Sequence, residues 1–168
     1  MPTAPARATS PKAPTRSRTP RPKDAVAMLK DDHKKVSALF EDFEKARSAG
    51  VKKRLVQAIC QELTVHTRIE EEVFYPAFKA ALKDKELVPE AQVEHDAIKD
   101  LIAQVQDAEP GSEVYDARVK VMGEFVRHHV KEEHTDMFPK ARKSKLDLVA
   151  LGQRMAQLKE ALTQQRLH

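Results

Sequence analysis

From Asp24 onward, apolar residues return every three or four positions. Val26, Leu29, Val36, Phe40 and Phe43 form the first run, with His33 inside it. That spacing puts them on one stripe of a helix. Gly50 is the expected stop for this helix. A second stripe holds Leu55, Ile59, Leu63, His66, Glu70 and Val73, and Pro76 is expected to kink or end it. Val88, Ala91, His95, Ile98, Ile102 and Val105 make the third, with Pro89 in a plausible first turn. Pro110-Gly111-Ser112 reads as a turn, with Ser112 capping the next helix. The fourth stripe is Val119, Met122, Val126, His129 and Glu133, interrupted at Pro139.

The halves repeat. A shift of 62 carries His33, Val36, Phe40 and Phe43 onto His95, Ile98, Ile102 and Val105. A shift of 63 carries Ile59, Leu63, His66, Glu70 and Pro76 onto Met122, Val126, His129, Glu133 and Pro139. Two helical hairpins with apolar faces bury those faces on each other. The expected fold is therefore all-α, an antiparallel up-down-up-down four-helix bundle over residues 24–143. Leu146, Val149, Met155, Leu158 and Leu162 add an amphipathic helix within 144–168, packed across the bundle or used in self-association.

Composition supports helices. Gly occurs 4 times in 168 residues and aromatics make up 5%, which disfavours a sandwich or barrel. No apolar run exceeds the five residues from Ala25 to Leu29, so no segment spans a membrane. The one cysteine, Cys60, rules out an internal disulfide and thiolate metal clusters. It sits among apolar neighbours and reads as a packed side chain. A lone thiol fits a reducing compartment, and the cytoplasm is the expected location.

Charge divides the chain. Residues 1–23 hold six Lys/Arg, no acid and six of the ten prolines. The rest carries 24 basic against 26 acidic residues, so the net +4 comes from the opening segment. That segment cannot bury enough surface to offset its ordering entropy and reads as a disordered tail. It lacks the apolar stretch of a secretory signal, and its prolines forbid the amphipathic helix of a transit peptide. It either contacts nucleic acid through phosphates or solubilises the chain; the second is favoured, because spread charges without aromatics are a weak signal.

The polar residues inside the seams carry the chemistry. Four His and two Glu stand where a bundle wants Leu, Ile and Val. A lone core histidine ordinarily bonds to backbone or a hydroxyl. Six ionisable groups in two matching sets would strongly destabilise the core unless they satisfy one another or an ion. Residues i and i+4 share a helix face, so His66 and Glu70 reach the same or adjacent ions, as do His129 and Glu133. His33 and His95 come from the other two helices. Each ion would receive two imidazoles, with the carboxylates bridging between ions. This donor set suits iron, manganese or zinc. No acid stands three residues before any histidine, so the Glu-x-x-His carboxylate site of other di-iron bundles is not expected.

The set His33, His66-Thr-Arg-Ile-Glu70, His95 and His129-Val-Lys-Glu-Glu133, with Phe74-Tyr75-Pro76 and Met137-Phe138-Pro139 trailing the pairs, resembles the hemerythrin-like (HHE cation-binding) family. The resemblance covers about residues 24–143. It implies a non-haem centre of two iron ions, usually oxo-bridged. It implies binding or sensing of dioxygen, nitric oxide or peroxide, or iron handling under stress. Turnover of peroxide or nitric oxide, repair of iron–sulfur centres, or a metal-gated interaction module are the alternatives. Oxygen-carrying members have His-xxx-His on the third helix and an Asp five residues past the last histidine. Here Lys99 follows His95 and Glu133 lies at four, which implies a more open or reactive site than that of a reversible carrier. Outside the set, His128 is expected to pair with Glu132, and His134 and His168 to face water; Glu71, Glu72 and Glu132 either hydrogen-bond the ligands or face water, and water is favoured for most of them. Tyr75 is expected to pack, with donation from its phenol to an iron-bound oxygen species as the alternative. Asp32 and Glu94 each precede a site histidine but diverge from it.

Overall fold

The computed structural model describes residues 22–165. Apart from residues 22 and 23, the basic opening segment lies outside them, as does His168. Among the described residues the secondary structure is helical throughout. Helix α1 is Ala25–Lys45. Helix α2 (residues 49–82) runs without a break through Ala49–Ile69, a π-helical turn Glu70–Phe74 and Tyr75–Leu82. Helix α3 is Leu87–Gln106. Helix α4 (residues 113–143) repeats the pattern of α2: Glu113–Glu132, a π turn Glu133–Met137 and Phe138–Lys143. Helix α5 is Leu148–Gln164.

Side-chain caps set most of the starts. Asp24, Ser48, Ser112 and Asp147 each accept a hydrogen bond from a backbone N–H three residues on, satisfying an amide that the first turn leaves open. Asp84 does this for α3, accepting from the N–H groups of Leu87 and Val88. One expectation fails here. Gly50 does not close α1, which ends at Lys45 with Ala46 extended. Ser48 restarts the chain first, so Gly50 lies inside the first turn of α2.

Neither Pro76 nor Pro139 ends its helix. Proline lacks an N–H and its ring collides with the carbonyl four residues back. The π turn ahead of each proline widens the backbone, and the N–H groups of Tyr75 and Phe138 bond to the carbonyls of Glu70 and Glu133, five residues back. Each proline then stands in the first turn of a new α segment.

Helix α1 packs on α2 and α3 on α4, which closes the bundle. Helix α5 lies across α1 and α2, the first of the two places expected for it. It buries Leu151, Met155 and Leu162 and turns Val149 outward. A Cβ on Gly152 would stand 2.6 Å from the Lys23 carbonyl, so this crossing needs glycine. The core has two apolar clusters. Leu29, Ile69, Phe74, Phe78, Phe138 and Met155 anchor one. Phe40, Ile59, Leu63, Ile98, Met122 and Val126 anchor the other. Each fully buried side chain of this size contributes roughly 1.5–3 kcal/mol relative to exposure. The layer between them is polar.

Candidate metal centre

All six seam residues converge in that layer. Glu70 and His95 are 0% exposed, and Glu133 1%. The four imidazoles turn Nε2 inward in two pairs. His33 Nε2 lies 3.1 Å from His66 Nε2, and His95 Nε2 lies 3.1 Å from His129 Nε2. Glu70 spans the pairs: Oε1 is 3.2 Å from His66 Nε2 and Oε2 is 3.2 Å from His95 Nε2. Glu133 does the same with one oxygen, its Oε2 standing 3.2 Å from His33 Nε2 and 3.6 Å from His129 Nε2.

Two observations test whether this arrangement fits ions. Nitrogens each about 2.1 Å from one ion and at right angles stand about 3.0 Å apart, which is the spacing of both pairs. Glu70 Oε1 and Glu133 Oε2 are wholly buried and accept no hydrogen bond. Buried oxygens ordinarily have partners, and a cation between the pairs would supply one. The donors fall into two groups, His33, His66, Glu70 and Glu133 in one, Glu70, His95 and His129 in the other. The cluster fits a metal site.

Outward, each Nδ1 meets a partner. Asp32 Oδ2 lies 3.4 Å from His66, Glu71 Oε1 2.9 Å from His95, and Glu94 Oε2 2.6 Å from His129. A carboxylate only accepts, so these three rings donate from Nδ1, which leaves Nε2 to offer its lone pair to an ion when one is bound. His33 Nδ1 instead meets His134 Nε2 at 2.9 Å.

The sequence matches the hemerythrin HHE cation-binding domain over residues 24–141. The chain belongs to that family. Members of the HHE family bind metal cations through this domain. A crystal structure of an HHE domain-containing protein from Mycobacterium kansasii is similar, with a TM-score of 0.75 and 26% identity. The likeness covers 86% of this chain and 90% of that one. A DNA nickase from Nostoc sp. is 26% identical over 111 residues, 66% of this chain. The match spans only 31% of the nickase.

This HHE domain departs from the sequence expectations at the supporting residues. Glu71 and His134 do not simply face water; each braces a ring. Asp32 and Glu94 do diverge from the histidines that follow them. They reach the next helix instead, Asp32 to His66 and Glu94 to His129. Tyr75 does more than pack. Its hydroxyl donates to Glu133 Oε1 at 2.9 Å and stands 3.2 Å from His95 Nε2. A five-residue step on a regular helix would carry Tyr75 far from Glu70. The π turn brings it back, with its hydroxyl 3.3 Å from Glu70 Oε2. The paired prolines were the available signal of that shift. Lys99, standing where oxygen carriers place another histidine, bonds both oxygens of Glu71 at 2.7 and 2.9 Å. His128 is exposed and pairs with Glu132, as expected.

Without an ion, protons hold the layer together. Burial opposes charge on His66, yet Glu70 and Asp32 push its pKa up to about 10. Burial also opposes charge on His95, which Glu70 and Glu71 raise to about 9. Burial would raise Glu70, but His66 and His95 hold its carboxyl well below the ordinary range. Burial, with Glu133 and Glu70 alongside, keeps the Tyr75 phenol protonated well above its usual value. Cys60 takes no part: burial pushes its thiol up to about 11.

Proposed function

We propose that the HHE bundle holds two iron ions in this layer and that the centre takes a small oxidant: dioxygen, nitric oxide or peroxide. The paired Nε2 atoms, spanned by two buried carboxylates, are the observation that carries this reading. His33 and His66 would hold one ion, His95 and His129 the other, with Glu70 and Glu133 between. Iron there supplies Lewis-acid and redox chemistry toward the bound molecule. The chain does the rest. Asp32, Glu71 and Glu94 fix ring orientation, and the two apolar clusters exclude bulk water on either side. The Tyr75 hydroxyl keeps a proton beside Glu133 Oε1.

Protein purified aerobically from iron-replete cells should carry about two irons per chain and show the visible absorption of a ferric pair. His66→Ala should lose both. Purification with no bound metal, or with zinc alone, would overturn the reading.

A second reading, contact with DNA, draws on the similarity to the Nostoc nickase and on the six cations of residues 1–23. Those cations would pair with phosphates and make binding weaken steeply with salt. The full chain should then bind duplex DNA at low salt better than a chain lacking residues 1–23. No detectable binding by either removes this reading.

A further inference from the structure

We propose that an uncharged diatomic molecule reaches the cluster through the seam between α1 and α4, with Val126 and Val130 as its gate. This rests on the reading that the layer holds iron and takes a small ligand. A groove of about 480 Å³ lies along that seam. Phe40, Val126 and Val130 line it with apolar surface, Glu41, Glu44, Arg127 and Lys131 add charged side chains, and His33 and His134 stand at the cluster end. Helix α5 covers α1 and α2 and leaves this seam open. A second, internal void of about 10 Å³ lies against all four inward imidazoles. Val36, Leu63 and Ile98 complete its apolar wall. Its volume is about that of one water-sized sphere, so a diatomic enters only as the flanking side chains give way, and a longer molecule is excluded.

Groove and void share three lining residues, His33, Val126 and Val130. These form the partition between them. His33 is pinned by His134 outside and by the cluster inside. Of the two valines, Val126 is held in the apolar cluster, so Val130 is the part most free to move. They stand four apart on one face of α4, and Val130 is only half-buried. Rotation of such side chains opens a path without displacing a helix. A further small cavity touches the cluster between α3 and α4, but Glu90, Glu94, Glu132 and Glu133 line it. Carboxylates in that density suit a cation or water, whereas an uncharged diatomic partitions into apolar surface.

A gate changes a barrier and leaves the end states alone, so it alters association and dissociation rates together. Ser37 lies in the exposed wall of the groove. Ser37→Trp blocks the groove without touching the core. Nitric oxide binding to the reduced, iron-loaded protein should slow at least tenfold in S37W, with Kd unchanged within twofold. Val130→Ala should speed it by a similar factor, and Val130→Phe should slow it. A tryptophan at the exposed Val93 on α3 should do neither. The iron-free protein supplies the second arm. Xenon should occupy the apolar part of the groove beside Val126 and Val130, and its exchange with solvent, read by xenon NMR, should slow in S37W. If xenon behaves so but the protein takes up no iron, the route stands and the metal reading falls. Rates within twofold of wild type in both S37W and V130A, or xenon exchange untouched by S37W, overturn the route even where iron and nitric oxide bind.

Discussion

His33 and His95 occupy equivalent places, 62 residues apart, yet different chemistry stands behind them. His95 is braced by Glu71, which Lys99 clamps from outside. His33 is braced by His134, 63 residues beyond Glu71 and therefore in its mirrored place. The same exchange recurs around the cluster. Tyr75 stands over Glu70, His95 and Glu133, and its counterpart Phe138 is a hydrocarbon ring. Lys99 closes one outer face, whereas Ser37, its counterpart, opens onto a groove. One half is anionic, bonded and sealed; the other is less charged and accessible. The two halves share six inward groups and the mirrored braces Asp32 and Glu94 but differ in their other supports, so two ions held here would differ in accessibility and in how firmly their ligands are oriented.

The largest expected effect comes from removing what the halves share. Glu70 is the counter-charge for both His66 and His95. In metal-free protein, a histidine raised above its ordinary 6.5 stabilises the fold fully below that value and ceases to as pH climbs through the raised one. His66, at about 10, and His95, at about 9, therefore stop contributing between pH 6.5 and 10. Glu70, held low, acts oppositely: its contribution is present above its ordinary 4.5 and is lost on acidification. The metal-free Tm should peak near pH 5–6.5 and fall steadily toward pH 10. Glu70→Gln should cost about 3 kcal/mol at pH 6 and flatten the alkaline fall. Metal binding releases the same protons, so the loaded protein should gain on the metal-free one as pH rises. A metal-free Tm that climbed from pH 6.5 to 9 would contradict this account of the layer.

The inward groups were legible in the sequence because helix periodicity reports which residues share a face. His66 with Glu70 and His129 with Glu133 need only the i, i+4 rule. The duplication then indicated that His33 and His95 belong with them. The supports were not legible for a physical reason. Asp32 and Glu94 act across a helix seam, and no spacing within one helix encodes that. Glu71 and Tyr75 depend on the phase of α2, which the π turn alters by one residue. A regular helix read through Pro76 puts Tyr75 on the wrong face. Gly50 misled for a simpler cause: Ser48 was the stronger local signal, and a cap outranks a glycine that has no turn to make.

The asymmetry can be sharpened by exchanging supports. Glu71→Gln keeps the shape but removes the charge that orients His95, and should weaken metal binding about 10- to 100-fold. His134→Gln removes an exposed, uncharged partner of His33 and should cost under about tenfold. Chelator competition reads both. The order of loss also matters: in wild type, metal on the His33 side should leave first, and in E71Q the His95 side should lead. Equal sensitivity at the two positions would mean that the halves are interchangeable.

The smallest effect should come from the phenol. Tyr75→Phe leaves Glu133 Oε1 without its donor, a loss of about 1–2 kcal/mol in metal-free stability by denaturant unfolding. Moving the hydroxyl to the other half tests whether symmetry can restore it. Phe138 lies nearly parallel to His33, with an interplanar angle of 15° and centroids 5.8 Å apart, so its ring faces that imidazole flat-on. Tyr75 approaches the cluster through its hydroxyl. Phe138 belongs to a buried apolar cluster, so a hydroxyl added there without a partner would meet the cost of an unpaired polar group. The double variant Y75F/F138Y should therefore be less stable than Y75F alone. Recovery toward wild type would show that the π turns place both rings alike, and the distinction between a sealed and an open half would have to be drawn from Glu71 and His134 alone.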